Sequence, residues 1–211
     1  MYEEGVHITL YSQQRQLKFL VLIGVSTGGP KALQYLFSHL TARKDTALLV
    51  VQHMPPNFTY SLAKRLNELS SYSVKEAKHG DPIKGAHAYV APGDYHLEIR
   101  MEAGTPVVYL TKKAPRKGHR PAVDVLFESA VQAVGYSVIT VIMTGMGKDG
   151  TEGLKWLKEQ KHIYSLAEDE SSCIVYGMPK TAIEAGLVDK VVPLEGMPGA
   201  IEQAIKELGG A

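Results

Sequence analysis

Three short stretches of this chain carry the side chains that acyl transfer needs. Gly24-Val25-Ser26-Thr27-Gly28 sets a serine in the G-x-S-x-G spacing of a nucleophile turn. Gln52-His53-Met54-Pro55-Pro56 supplies an imidazole, which titrates near neutrality and can take a proton from a hydroxyl and return it to a leaving group. Thr144-Gly145-Met146-Gly147-Lys148-Asp149-Gly150 offers a carboxylate able to hold the second imidazole nitrogen and stabilise the imidazolium. Ser26 as nucleophile, His53 as general base and Asp149 as orienting acid make one coherent expectation. The glycines let the backbone crowd into a tight strand-to-helix turn that lifts the Ser26 hydroxyl to a helix N-terminus. There, free N–H groups and the helix dipole favour a developing negative charge. The same geometry makes the Thr27 N–H a candidate oxyanion donor. Blander readings stand beside these. Serine and glycine are common in such turns, a strand-end histidine can be satisfied by a carbonyl, and aspartate is among the best helix N-caps.

The elements that would position these groups are strands alternating with helices. Phe19–Val25 is a continuous apolar run, as in a strand buried on both faces, and Pro30 follows where a first helical turn tolerates it. Leu33, Leu36, Phe37 and Leu40 then recur at helical spacing. Ala47–Gln52 reads as a strand, with a helix through Phe58, Leu62, Leu66 and Leu69. A stripe from Val123 to Val134 precedes the strand Val138–Met143. A helix carries Trp156 and Leu157, Ile163–Ala167 is a strand, and Pro179–Ala185 is helical. Val191–Leu194 and a helix through Ile201 and Ile205 close the chain. Ala88–Val90, His96–Arg100 and Val107–Leu110 read as short antiparallel strands joined by turns. The pattern predicts one doubly wound α/β domain over residues 18–211, a mostly parallel sheet with an antiparallel hairpin insert, preceded by a polar tail over 1–17. In such a sheet ligands bind beyond the carboxyl ends of strands, where Ser26, His53 and Asp149 all fall.

Composition narrows the class without deciding it. The 211 residues are 45% hydrophobic and 21% charged with a net charge of +1, which gives no general attraction to nucleic acid or membrane. A single cysteine, Cys173, excludes an internal disulfide, favours a cytoplasmic location and reads as a packing residue. No run of apolar residues is long enough for a membrane helix, and the acidic start lacks a signal peptide's charged and apolar regions. A phosphate loop fits poorly, since Pro30 stands where the Walker lysine belongs and Ala32 cannot ligate magnesium. A dinucleotide loop fails at Ser26, in the second glycine position. The histidines form no compact ligand pair, and His79, His87, His96, His119 and His162 read as surface or hairpin residues. Glu168-Asp169-Glu170 reads as a solvated loop. So does the basic stretch of Lys112, Lys113, Arg116, Lys117 and Arg120, which could alternatively dock an acidic partner.

Six blocks in one order carry a resemblance: I-G-V-S-T-G-G-P (Ile23–Pro30), V-Q-H-M-P-P-N-F-T (Val51–Thr59), A-P-G-D-Y-H (Ala91–His96), R-P-A-V-D-V-L-F (Arg120–Phe127), M-T-G-M-G-K-D-G (Met143–Gly150) and A-E-D-E-S-S-C-I-V-Y-G-M-P (Ala167–Pro179). Together they resemble the catalytic domain of the CheB-type chemotaxis protein-glutamate methylesterases, from about Phe19 to Ala204. The resemblance implies hydrolysis of glutamate methyl esters on the cytoplasmic helices of bacterial chemoreceptors, deamidation of receptor glutamines in some members, and no cofactor or metal. It assigns Ser26, His53 and Asp149 to the triad and adds the Met146 N–H as an oxyanion donor. It also implies a receiver domain as regulatory partner, which residues 1–17 are too few to form. Glu168 stands where the family pattern leads one to expect glutamine, and Cys173 where serine or a valine-like residue is common. Both departures bear on substrate fit rather than on the triad. An esterase or amidase of the same fold with another substrate, and a phosphate-binding module without turnover, are the alternatives.

Overall fold

A computed structural model describes residues 17–210 of the chain, so all but the last residue of the expected polar tail lies outside the described residues. Seven strands form one parallel sheet: β1 (Phe19–Val25), β2 (Thr46–Gln52), β3 (Ser73–Glu76), β4 (His87–Val90), β7 (Ser137–Ile142), β8 (Ile163–Glu168) and β9 (Lys190–Val192). Their order is β3-β4-β2-β1-β7-β8-β9. β5 (His96–Glu102) and β6 (Thr105–Thr111) make a separate antiparallel pair.

The central strand shows why the sheet is covered twice. Alternate side chains of a strand point to opposite faces. Phe19, Val21, Ile23 and Val25 enter one apolar core, and Leu20 and Leu22 enter the other. The first core lies under α1 (Gly29–His39), α2 (Phe58–Leu69) and α6 (Met197–Gly209). The second lies under α3 (Val123–Ser129), α4 (Thr151–Gln160) and α5 (Met178–Glu184), with Leu97, Ile99 and Val108 of the hairpin completing its cover. The chain leaves β1 toward β2 on one side and later returns beside β1 as β7 on the other. That reversal of strand order opens a crevice at the carboxyl ends of β1 and β7, where open α/β sheets bind ligands.

Two expectations, one for a strand and one for a helical stripe, need correction. Ala88–Val90 is not part of an antiparallel insert. As β4 it pairs in parallel with β2 and β3, because its buried side chains extend the main sheet. β3 itself, Ser-Val-Lys-Glu, lacks an apolar pattern and is held at the sheet edge by its backbone ladder to β4. The stripe expected as far as Val134 ends earlier. The helix stops at Ser129 and tightens into a 3₁₀ turn over Ala130–Gln132, leaving Val134 exposed. Among the described residues no helix is long and apolar enough to cross a membrane.

Candidate active site

Ser26 is the first residue past β1 and is fixed from both sides. Its N–H donates to the Thr144 carbonyl (3.0 Å), and its own carbonyl accepts from Gly29 N–H (2.8 Å) and Gln52 Nε2 (3.0 Å). Gln52 Nε2 also donates to the His53 carbonyl (3.0 Å), so one buried amide ties the serine loop to the histidine loop. Gly28 turns the chain into α1 with φ 85°, a left-handed conformation that suits glycine.

His53 reaches across from the end of β2. Its Nδ1 lies 3.1 Å from Ser26 Oγ and its Nε2 lies 2.7 Å from Asp149 Oδ2. Together these contacts call for a proton on Nε2, donated to the carboxylate, and a lone pair on Nδ1 facing the serine hydroxyl. The His53 side chain is 8% exposed and that of Asp149 2%.

Asp149 is not the N-cap of its own helix, a position taken by Gly150 with φ 94°. It caps the neighbouring one. Asp149 Oδ2 accepts from Val123 N–H (2.7 Å), and Oδ1 accepts from the N–H groups of Asp124 and Gly150 (3.0 Å each). Asp124 returns the exchange, its Oδ1 accepting from Gly150 N–H (2.9 Å) and Gly153 N–H (2.8 Å) at the start of α4. Burial acts to raise the Asp149 carboxyl. The hydrogen bonds from His53 and from the N–H groups of Asp124 and Val123 outweigh it, and hold the group below the usual carboxylate range. The acid is therefore an anion in a nearly dry site.

Both candidate oxyanion donors belong to peptide units whose carbonyls are already engaged. The Gly145 carbonyl accepts from Gly177 N–H (3.1 Å) and Met178 N–H (2.8 Å) at the start of α5. In a trans peptide the C=O and the next N–H point in opposite directions, so Met146 N–H is turned away from α5. The Ser26 carbonyl is held inward by Gly29 and Gln52, which likewise turns Thr27 N–H outward. Among the described residues neither N–H donates to a protein acceptor. Gly145 is pressed against Ser26: a Cβ there would lie 2.8 Å from Ser26 Cβ.

Several neighbours did not declare themselves in the sequence. Asp124 is fully buried and pairs with Lys117 (3.0 Å), although it sits within an apolar helical stripe. His119, expected at the surface, stacks on His53 with ring centroids 3.9 Å apart. His96, expected in a hairpin, is buried, and its Nε2 lies 3.2 Å from the Ala114 carbonyl. The basic stretch is the exposed loop expected, but its cations are paired. Lys112 pairs with Asp94 (3.3 Å), Lys113 with Glu98 (2.7 Å), Arg116 with Glu128 (2.8 Å), Lys117 also with Glu152 (2.8 Å), and Arg120 with Asp94. Those carboxylates come from later and earlier parts of the chain, so the run of cations carried no sign of its partners.

Glu168, by contrast, leaves the expected solvated loop. It is buried at the end of β8 and accepts from Thr144 N–H (2.8 Å) and Ser172 Oγ (3.0 Å). Burial pushes its carboxyl above the ordinary range. It borders a cavity of about 380 Å³ lined also by Gly28, Lys31, Tyr35, Thr144 and Ile174, beside the nucleophile loop. Burial and the nearby Glu168 push the Cys173 thiol up to about 12, which suits a packing cysteine rather than a nucleophile.

The chain is similar to known proteins over most of its length. Residues 21–201 match the family model described as CheB methylesterase. The chain is 51% identical over 189 residues to a protein-glutamate methylesterase/protein-glutamine glutaminase of Halalkalibacterium halodurans, covering 90% of this chain and 54% of that protein. It is 45% identical over 193 residues to a protein of the same name from Pyrococcus abyssi, covering 92% and 52%. The chain thus spans about half the length of these curated relatives. The crystal structure of the Thermotoga maritima CheB methylesterase catalytic domain superposes with a TM-score of 0.82 at 41% identity, covering 90% of this chain and 98% of that one. With the family model spanning most of its length and the fold shared throughout, the chain belongs to the CheB methylesterase family.

Proposed function

We propose that the chain hydrolyses glutamate methyl esters, and deamidates glutamines, on the cytoplasmic helices of chemoreceptors through an acyl-enzyme on Ser26. The observation that carries this reading is the continuous path from Ser26 Oγ through His53 to Asp149, 3.1 Å and 2.7 Å long, at the switch point of the sheet. Ser26 Oγ attacks the side-chain carbonyl carbon while His53 Nδ1 takes its proton. The imidazolium is held by Asp149, and the tetrahedral oxyanion by the N–H groups of Met146 and Thr27 at the N-terminal end of α1. Nδ1–H then protonates the leaving methoxy oxygen, releasing methanol, or the amide nitrogen of a glutamine, releasing ammonia, as the acyl-enzyme forms. Water repeats the sequence, with His53 again as base, and frees glutamate. No step calls for a cofactor.

Phe58 at the start of α2, and Met146 and Ile174 on loops, are exposed apolar residues around this crevice, a rim suited to one face of a helical substrate. The family resemblance makes a receiver domain the proposed regulatory partner and the cytoplasm the proposed compartment. The test is methanol release from a methylated receptor signalling domain, comparing the wild type with Ser26→Ala. Release by the wild type and none by a folded Ser26→Ala supports the reading. Equal release by both would remove Ser26 from the chemistry.

A further inference from the structure

The two hydrogen bonds of His53 lie in the plane of its ring. They resist sliding within that plane and do little against tilting out of it, because hydrogen-bond energy falls slowly over small angular changes. A second constraint stands on the face of the ring. The His119 imidazole lies flat on that of His53, with centroids 3.9 Å apart and planes 6° from parallel. His119 is half-buried, and His53 beneath it is nearly closed to solvent.

The turn that carries His119 is braced for this position. Arg116 and His119 exchange both backbone hydrogen bonds (2.9 Å each), closing the turn. Lys117 within it pairs with Asp124 and Glu152, and Arg116 with Glu128, which fastens it to α3 and α4. The same helices carry the capping exchange that holds Asp149. The stacked ring and the orienting carboxylate therefore share one anchorage.

We propose that His119 is a positioning residue of the acyl-transfer site: its ring holds the His53 imidazole in the plane that joins Ser26 Oγ to Asp149 and shields that face from water. The inference rests on the triad reading given above. Charge is consistent with the role. The ring beside His53 has to stay neutral when His53 becomes an imidazolium, or the two cations would repel at contact distance. Burial, reinforced by His53 and opposed by Asp149, holds His119 below the ordinary histidine value. No reacting atom needs to touch His119.

The test compares His119→Ala, which removes the ring, with His119→Phe, which keeps a flat ring without nitrogens. Methanol release is measured with a methylated receptor domain, and imidazole ¹⁵N spectra report the tautomer and pKa of His53. In His119→Ala, kcat is expected to fall about tenfold or more with KM changed less than about twofold, the pattern of a misaligned reacting group. His119→Phe should recover most of the rate. The wild-type spectrum should show His53 protonated on Nε2, with a tautomer mixture in His119→Ala and the wild-type form restored in His119→Phe. Wild-type kcat and His53 spectra in a folded His119→Ala would overturn the inference. So would a His119→Phe as impaired as His119→Ala, since the ring nitrogens and not the stack would then matter. The spectra require no turnover. A wild type that released no methanol would defeat the reading of the site, while the tautomer result would still decide the role of the stack.

Discussion

Asparagine at position 149 should separate the two tasks of this carboxylate. Asp149 Oδ2 accepts from His53 Nε2 and Val123 N–H, both at 2.7 Å, and Oδ1 accepts from Asp124 and Gly150 N–H, both at 3.0 Å. Asparagine keeps one of these oxygens and puts an NH₂ in place of the other. With the oxygen in the Oδ2 position the proposed triad survives, but the NH₂ faces two buried backbone donors. With the oxygen in the Oδ1 position, the NH₂ faces His53 Nε2 and Val123 N–H. The imidazole can relieve the first of these conflicts by moving its proton to Nδ1, so that Nε2 accepts.

Each buried N–H left against a donor costs about 1–3 kcal/mol. Gly150 N–H keeps Asp124 Oδ1 in either case, so each arrangement strands one backbone N–H, that of Asp124 in the first and of Val123 in the second. Only in the second does the NH₂ find an acceptor, His53 Nε2, so the second should win. Nδ1 then carries a proton where it must accept one from Ser26. The expected loss in turnover is about 10⁴-fold, the size seen when a triad aspartate becomes asparagine and traps the wrong tautomer. Stability should fall by only about 1–3 kcal/mol, for the single stranded N–H. Asp149→Ala instead strands the N–H groups of Val123 and Asp124, while Gly150 N–H keeps Asp124 Oδ1, and should cost about 2–6 kcal/mol. Urea unfolding gives the stabilities, and methanol release at saturating methylated receptor gives kcat. The argument fails if Asp149→Asn keeps turnover within about tenfold of wild type, or if it is less stable than Asp149→Ala. An Asp149→Ala that lost stability and no turnover would reduce the residue to a helix cap.

Glu168 and Asp149 should respond to pH in opposite directions. The folded-state carboxyl of Glu168 is raised by burial, so its ionisation opposes folding increasingly as pH rises from the unfolded value, about 4.3, through the folded one. Glu168→Gln should therefore gain stability over wild type at pH 7 and lose that advantage below about pH 4, as pH-dependent urea midpoints will show. Asp149 is lowered in the fold, so its contribution is complete above about pH 3.9 and is lost as pH falls through its folded value. Asp149→Asn should flatten that acid limb. Gly145→Ala would drive a methyl into Ser26 and Met178, and a shift of the nucleophile by about 1 Å should lower kcat about 10²-fold. Gly199→Ala, in α6 with open space around its Cα, is the matched control and should leave turnover unchanged.

Much of the scaffold was legible because buried parallel strands announce themselves as apolar runs. Phe19–Val25 coincides with β1, and the helices through Leu33 and Leu62 fall where their spacing puts them. What local pattern cannot encode is the partner. The run at Ala88–Val90 is a strand either way, and only the sheet decides that it pairs in parallel with β2. β3 is invisible for a related reason, since an edge strand held by backbone bonds needs no apolar alternation. The proposed triad stood out because its members sit at strand ends in glycine-rich loops. Asp124, Gln52 and His119 did not, because each acts through a contact made at a distance along the chain. The basic stretch is a solvated loop as read, but its ion pairs were hidden for the same reason: carboxylates such as Asp94 and Glu128 are brought near only by folding.

The exchange of caps between α3 and α4 explains how a carboxylate can stay charged there. Burial penalises the anion, and water is not at hand to solvate it. Two helix N-termini meet at this point, each presenting N–H groups that no turn of its own helix can satisfy. Asp149 satisfies those of α3 and Asp124 those of α4, so the Asp149 anion is stabilised by donors that would otherwise be stranded. The donors that stabilise the charge also fix its direction, leaving one Oδ2 lone pair aimed at His53. Lys117 closes the arrangement by pairing with Asp124 from the turn that carries His119. Alignment of the proposed base is thus set by how α3 docks on α4, and packing changes between those helices act on the site without touching a reacting atom.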